Sequence, residues 1–466
     1  MSTSRSDDEY EYEYGRVEIH QHKNNKNSQK KIEFVNFWGT KYSSDDDNET
    51  AQMTDPRKVP FVPTFDAHDG PLPPGAYIME GKPEFDSKPT CRISIDVKSG
   101  NSDIMDDPDE VVRRLQACVD AGFDTFQLHD QKTSSLGIIR RMNENTPSYV
   151  NKHWSISMKA PTLLSDLNNA SLSPKSDIRH SVLDLIEQTG GDALDSLQVD
   201  CSKLQASIPY DTTLEMFEHL VDLQREGWIR SIGVRDIASP KLQQDIITHF
   251  GDNIDFQQQE GNLLLPPLSS SHCTSKKYIR MANALAGGLL TDLYSDDRRS
   301  RKKTSNDLQK PPPFLLTNDN MYLLNDWAAR RERQQKPSSS SSTSVVPVWK
   351  IYQDHVVEQM SWIALKHDVS MSAVALRWAL ECGSGTAGTN EESPIVSSAL
   401  ADVVFDPKED VFQKPVELRQ VFRFQLDEED KDILSEISSA GEHDESSRDE
   451  EEYNSEIDFN NRAIWL

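Results

Sequence analysis

The strongest constraint in this sequence is a cycle that repeats along its middle. A short, largely apolar run is followed by a turn and a longer amphipathic stretch, and then the pattern starts again. "DDPDEVVRRLQACVDAG" reads as a helix with Asp107 at the N-cap, Pro108 at N1 and Glu110 completing a capping box. Its apolar stripe is Val111, Val112, Leu115, Cys118 and Val119, and Gly122 stops it. "FDTFQL" follows as a strand. "WSISMK" then leads to "DIRHSVLDLIEQTGG", "SLQVDC" to "DTTLEMFEHLVDLQREG", and "IRSIGV" to "SPKLQQDIITHFG", before "IDFQQQ". Later come the helical "HVVEQMSWIALKHD" and "SMSAVALRWALE", the strand "PIVSSA" and a last helix near "PVELRQVF".

With "RISIDV" and "YIRMAN" added, about eight strand–helix cycles are present, the number that closes a single α/β (β/α)8 TIM barrel. A doubly wound open sheet is the alternative, but no G-x-G-x-x-G follows the first strand. The stretch "LLLPPLSSSHCTSKK" is too short and polar for a good helix, so a degraded sixth crossover is expected.

The chain is longer than the cycles need. It has 466 residues and only 36% hydrophobic content, with a mean hydropathy of -0.66, which points to polar appendages around an ordinary core. Residues 1–58 read as a disordered polar extension, in which "IEFVNFWGTKY" is able to dock locally, and 441–466 as an acidic tail. The barrel itself is expected over 88–440, interrupted after its seventh strand by a low-complexity insertion at 295–348. Within the insertion, "FLLTNDNMYLLNDWAAR" has the pattern of a short helix. Its basic cluster Arg298 to Lys303 reads as a solvated loop or a partner site.

A net charge of -27 speaks against nucleic acid or an anionic membrane as the main partner. No apolar run spans a bilayer, and "MSTSRSDDEYEYEYGR" has no apolar leader. Five scattered cysteines without a C-x-x-C fit a reducing compartment, so a cytoplasmic protein is expected, with no metal site.

Several segments together resemble the aldo-keto reductase family. They are "VDAGFDTF", "DALDSLQVDC", "LVDLQREGWIRSIGVRD", "ALAGGLLTDLY" and "IALKHDVSMSAVALRWAL", and they occur in the family's order. The resemblance implies a barrel that transfers hydride from NADP(H) to a small-molecule carbonyl. That chemistry needs a tyrosine acid, a lysine that lowers its pKa, an aspartate paired to the lysine, and a histidine on the carbonyl oxygen.

Carried over to this chain, the resemblance retains only Lys159. Gln127 stands at the aspartate position, Lys132 at the tyrosine position and Asp200 at the histidine position. His129 and Asp130 lie close by in sequence. A lysine pair, Lys159 with Lys132, balanced by Asp200, is one way such a set still delivers a proton. A polar filling of a vacated site is the other.

For the cofactor, the resemblance implies Gln258 at the nicotinamide carboxamide, Arg235 and Asp236 in place of a Ser-Asn pair, and Gly287 and Gly288 near a phosphate. Gly287 and Gly288 also read as a tight turn, and Gln258 as a core glutamine. Gly261 stands where an aromatic stacks, and Ala399 or Leu400 where an arginine pairs with the 2′-phosphate. Two readings follow: a divergent NADP(H)-dependent oxidoreductase, or a catalytically inactive barrel serving as a scaffold or regulatory subunit. In the second, protein partners meet the insertion or the acidic tails.

Overall fold

The computed structural model describes residues 34–35, 41–42, 72–79, 89–97, 108–129, 133–145, 152–159, 174–201, 210–235, 237, 240–265, 278–292, 318–334, 348–381, 396–402 and 415–439. Its centre is a closed barrel of eight parallel strands in sequential order. They are β1 (Ile93–Val97), β2 (Thr125–Leu128), β3 (His153–Lys159), β4 (Ser196–Asp200), β5 (Ile232–Arg235), β6 (Phe256–Glu260), β7 (Tyr278–Ala282) and β8 (Val396–Asp402). β8 closes the ring against β1, with Ala399 opposite Ile93 and Asp402 opposite Asp96. The (β/α)8 reading of the sequence is therefore the fold.

Alternation along the strands decides what faces where. Ile93, Ile95, Phe126, Leu128, Trp154, Ile156, Leu197 and Val199 are buried on the face covered by helices. Ser94, Asp96, Thr125, Gln127, Ser155, Ser157, Gln198 and Asp200 are buried on the other face, toward the barrel axis. Branched aliphatics usually fill a barrel interior; this one is largely polar, which makes its hydrogen bonds the question.

The surrounding helices include α1 (Pro108–Asp120), α2 (Thr133–Asn145), α3 (Pro174–Thr189), α4 (Tyr210–Arg225) and α5 (Pro240–Phe250). After α1 the chain turns through Gly122 at φ 91°, with Gly122 N–H donating to Val119 O (2.8 Å) and Phe123 N–H to Cys118 O (2.9 Å). That pairing satisfies the last carbonyls and requires the left-handed residue that glycine supplies. α2 was not marked by the residue pattern, because Gly137 sits inside it and polar residues open it. Leu136, Ile139 and Met142 nonetheless recur on its buried face. The stretch between β6 and β7 where a degraded crossover is expected, residues 266–277, lies outside the described residues.

Past β7 lie α6 (Asn318–Gln334), α7 (Val348–Tyr352), one turn of π-helix (Gln353–Val357), α8 (Glu358–His367), α9 (Met371–Glu381), α10 (Pro415–Leu418) and α11 (Glu428–Ser439). α6, from the insertion, is 17 residues long and packs on the body through Leu323, Leu324 and Trp327. Trp327 is fully buried and its indole N–H donates to Ile437 O in α11 at 3.2 Å. Burying a tryptophan of roughly 200 Å² at about 25 cal/mol per Å² contributes on the order of 5 kcal/mol, so α6 is integral to the body. α11 was hidden in the sequence by its acidic first turn. It is held by Lys366, whose ammonium lies 2.6 Å from Asp427 and 2.9 Å from Asp430.

Leu72 and Ala76, ahead of the strands, are buried in the same core. Cys91, Cys118 and Cys201 are buried thiols outside any disulfide, and burial pushes Cys118 up to about 12. No helix among the described residues is long and apolar enough to cross a membrane.

Candidate active site at the barrel mouth

Two polar layers occupy the barrel axis. The lower layer is a cross-barrel network. Gln127 Nε2 donates to Gln198 Oε1 at 2.9 Å, and Gln198 Nε2 donates to Gln258 Oε1 at 2.9 Å. From β7, Arg280 Nη1 donates to Gln127 Oε1 at 2.8 Å and to Ser155 Oγ at 2.9 Å. The Arg280 guanidinium also lies over the Phe256 ring, 3.9 Å from its centroid. Gly233 makes room for that ring: a Cβ there would sit 2.2 Å from Phe256 Cζ. Gln127, Gln198 and Arg280 are each fully buried, and Gln258 nearly so.

The upper layer sits at the C-terminal ends of the strands, where barrels of this kind place their sites. Arg235 Nη1 lies 2.8 Å from His129 Nδ1, and Arg235 Nε lies 4.0 Å from Asp200 Oδ2. His129 Nε2 approaches Asp96 Oδ1 to 2.8 Å, off the line of a ring N–H. Asp96, His129, Arg235 and Asp200 thus form a chain across the mouth, from β1 to β4. Lys159 is exposed at the end of β3, in register with Asp200, which is itself in register with Arg235.

The candidates read from the sequence separate accordingly. Lys159, Asp200 and Arg235 come together at the mouth. Gln127 and Gln258 lie below it, in the interior network. Gly287 and Gly288 form a turn whose amides point inward, Gly287 N–H to Asn283 Oδ1 (3.0 Å) and Gly288 N–H to Leu285 O (3.0 Å). Asn320 of α6 locks that turn, its Nδ2 donating to Gly287 O at 3.0 Å. Lys132, Asp130 and Asp236 lie outside the described residues. Asp96 and Arg280 were missed by the sequence reading. Their signal was a polar side chain on the alternating face of "RISIDV" and "YIRMAN".

The sequence model described as the aldo/keto reductase family matches residues 99–404, more than half of the chain. This chain belongs to the aldo/keto reductase family. No curated protein matches it. Among solved structures it is similar to a glycerol dehydrogenase from Gluconobacter oxydans, at 17% identity over 79% of this chain and 97% of that one, with a TM-score of 0.47. It is also similar to an aldo-keto reductase from Bombyx mori in complex with NADP, at 14% identity over 80% of this chain and 94% of that one, with a TM-score of 0.48. An aldo/keto reductase from Brucella melitensis matches at 12% identity over 78% and 97%, with a TM-score of 0.47.

Several of the positions at which the sequence resemblance expects NADP(H) contacts are engaged inside the protein. The Gln258 carbonyl is taken by Gln198, and the two glycine amides are taken within their own turn. The Gly261 N–H donates to Ala282 O at 3.1 Å, and Ala399 and Leu400 are fully buried apolar side chains. The Gln258 carbonyl and the three glycine amides therefore already have partners within the protein.

Proposed function

We propose that this chain has left the NADP(H)-dependent carbonyl reduction of its family and serves as a scaffold or regulatory subunit built on the barrel. One observation carries the reading. Gln127, at the family's aspartate position, has its amide nitrogen committed to Gln198 and its carbonyl to Arg280, in a fully buried layer. A neutral amide engaged at both ends has no charge with which to compensate Lys159. The tyrosine acid is missing as well, since residues 129–137 read "HDQKTSSLG". Protein partners would then meet the surfaces that the barrel does not need for itself. α6 of the insertion, with Tyr322 57% exposed, and the acidic tail are the candidates.

The second reading, a divergent oxidoreductase, is favoured by Lys159, which stands at the mouth where the family keeps its lysine. The test is NADPH consumption by the full chain with a panel of aldehydes and ketones. The scaffold reading expects no turnover above the nucleotide's own decay. Turnover that disappears in Lys159→Ala would replace it with the reductase reading.

A further inference from the structure

We propose that the exposed Trp362–Leu365 face of α8 is a docking site for this chain's own C-terminal segment "RAIWL", residues 462–466. The proposal does not rest on the loss of carbonyl reduction, since no residue of α8 or of the tail takes part in the mouth described above. Where the tail also meets a protein partner, that partner competes with α8 for the same residues.

α8 has two sides. Met360, Ile363 and Ala364 are buried, the side a helix turns to the core. Trp362 and Leu365, three residues apart and so neighbours on the helix surface, are 51% and 80% exposed. Among the described residues, the other large hydrophobics exposed to solvent, Tyr210 and Tyr322, stand singly on α4 and α6. A tryptophan and a leucine one turn apart instead form a patch, and an apolar patch with a polar rim marks an interaction site.

The rim here is acidic. Lys366 Nζ, 5.9 Å from the centroid of the Trp362 ring, lies 2.6 Å from Asp427, 2.9 Å from Asp430 and 3.5 Å from Glu429 at the start of α11. His367 Nε2 is 2.6 Å from the other oxygen of Asp430, and Glu358, one turn before Trp362, is exposed. Even with His367 charged, these four carboxylates outnumber Lys366 and His367. The excess suits one added guanidinium.

The occupant follows from what the tail carries and where it starts. Residues 440–466 lie outside the described residues. Their sequence is acidic as far as Asp458 and then changes: "FNNRAIWL" has no acidic side chain and sets Arg462 directly before Ala463, Ile464, Trp465 and Leu466. An arginine leading an apolar run is the complement of an apolar patch with an acidic rim. α11 starts beside Lys366 and ends 12 residues on, at Ser439, about 18 Å away at 1.5 Å per residue. The 22 residues 440–461 reach up to roughly 75 Å when extended, enough to retrace α11 several times. A tether that spans its site gives an effective concentration in the millimolar range, which favours this segment over any dilute competitor.

The experiment is limited trypsin digestion of the full chain, with cleavage after Arg462 followed by mass spectrometry. An Arg448→Gln background keeps the segment tethered, and the synthetic peptide FNNRAIWL gives the rate of the undocked sequence. An effective concentration of order 1 mM against an intrinsic Kd of about 0.1 mM slows cleavage about tenfold relative to the peptide. Leu365→Asp, Trp362→Ser and Trp465→Ser should each restore the peptide rate. Trp465→Ser alters the tail alone, so it tests the contact even where a change on α8 disturbs the helix. The protection should be unchanged across a wide dilution series of the chain. Cleavage of the parent at the peptide rate overturns the proposal. So does protection that survives the α8 and tail variants, or protection that fades on dilution, which would seat a second copy's tail on the patch. NADPH turnover would overturn the scaffold reading and leave this result standing.

Discussion

Gln127 is the position most open to measurement, because a catalytic relic and a structural amide respond differently when it is removed. In Gln127→Ala, Gln198 Oε1 loses a donor 2.9 Å away and Arg280 Nη1 loses an acceptor 2.8 Å away, both in a fully buried layer. Stranding a buried neutral acceptor costs about 1–3 kcal/mol, and weakening a charged donor's bond costs roughly a further 1.5–3. With the lost side-chain burial, the expected destabilisation is about 3–5 kcal/mol. Arg280→Met keeps much of the volume but removes the donor. Because it also removes the desolvation cost of a buried guanidinium, its single effect is smaller. The discriminating quantity is the coupling in a double-mutant cycle by urea unfolding, which should be about 1.5–3 kcal/mol. Additivity within about 0.5 kcal/mol would refute the claim that Gln127 holds the interior together.

Three further outcomes follow from the same structure. Gly287→Ala places a Cβ 2.3 Å from Asn320 Oδ1 at a residue with φ 59°, so it should destabilise the chain by about 1–3 kcal/mol and loosen α6, read by amide exchange in residues 318–334. Hydrogen bonding to Lys366 holds the Asp427 carboxyl down at about 2. A depressed folded-state pKa gives stability that is present above the unfolded value near 3.9 and lost as pH falls toward 2, so Asp427→Asn should remove that part of the acid sensitivity of α11. Asp124 is the opposite case: burial raises its carboxyl to about 6, against the Thr125 hydroxyl and Cys91 N–H that lower it. Its contribution is complete below about 3.9 and is lost as pH rises through about 6, so Asp124→Asn should flatten the stability profile across that window.

The barrel was legible in the sequence because its outward strand residues and its helix stripes carry strong periodicity. Gly122, Gly190 and Gly227, all at positive φ, punctuate it at helix ends. α2 and α11 were hidden for local reasons, a glycine and polar opening in one and a run of acids in the other. Tertiary packing of Met142 and Leu434, both fully buried, overrides those weak propensities. At the site, sequence reasoning identified Lys159, Asp200 and Arg235 and the substitutions around them. It did not find that Gln127 and Gln258 face each other through Gln198, because cross-barrel partners on alternate strands leave no spacing signal along the chain. Nor did it find the Asp96–His129 approach, which depends on β1 and β2 ending at the same height, with Asp96 opposite Gln127.

The most direct test of the central claim is equilibrium titration of the full chain with NADPH, followed by nucleotide fluorescence and by thermal shift, with NADH and Lys159→Ala as controls. A Gln258 carbonyl and a glycine turn already engaged internally predict no saturable binding at millimolar nucleotide. Saturable micromolar binding that weakens in Lys159→Ala would contradict the account.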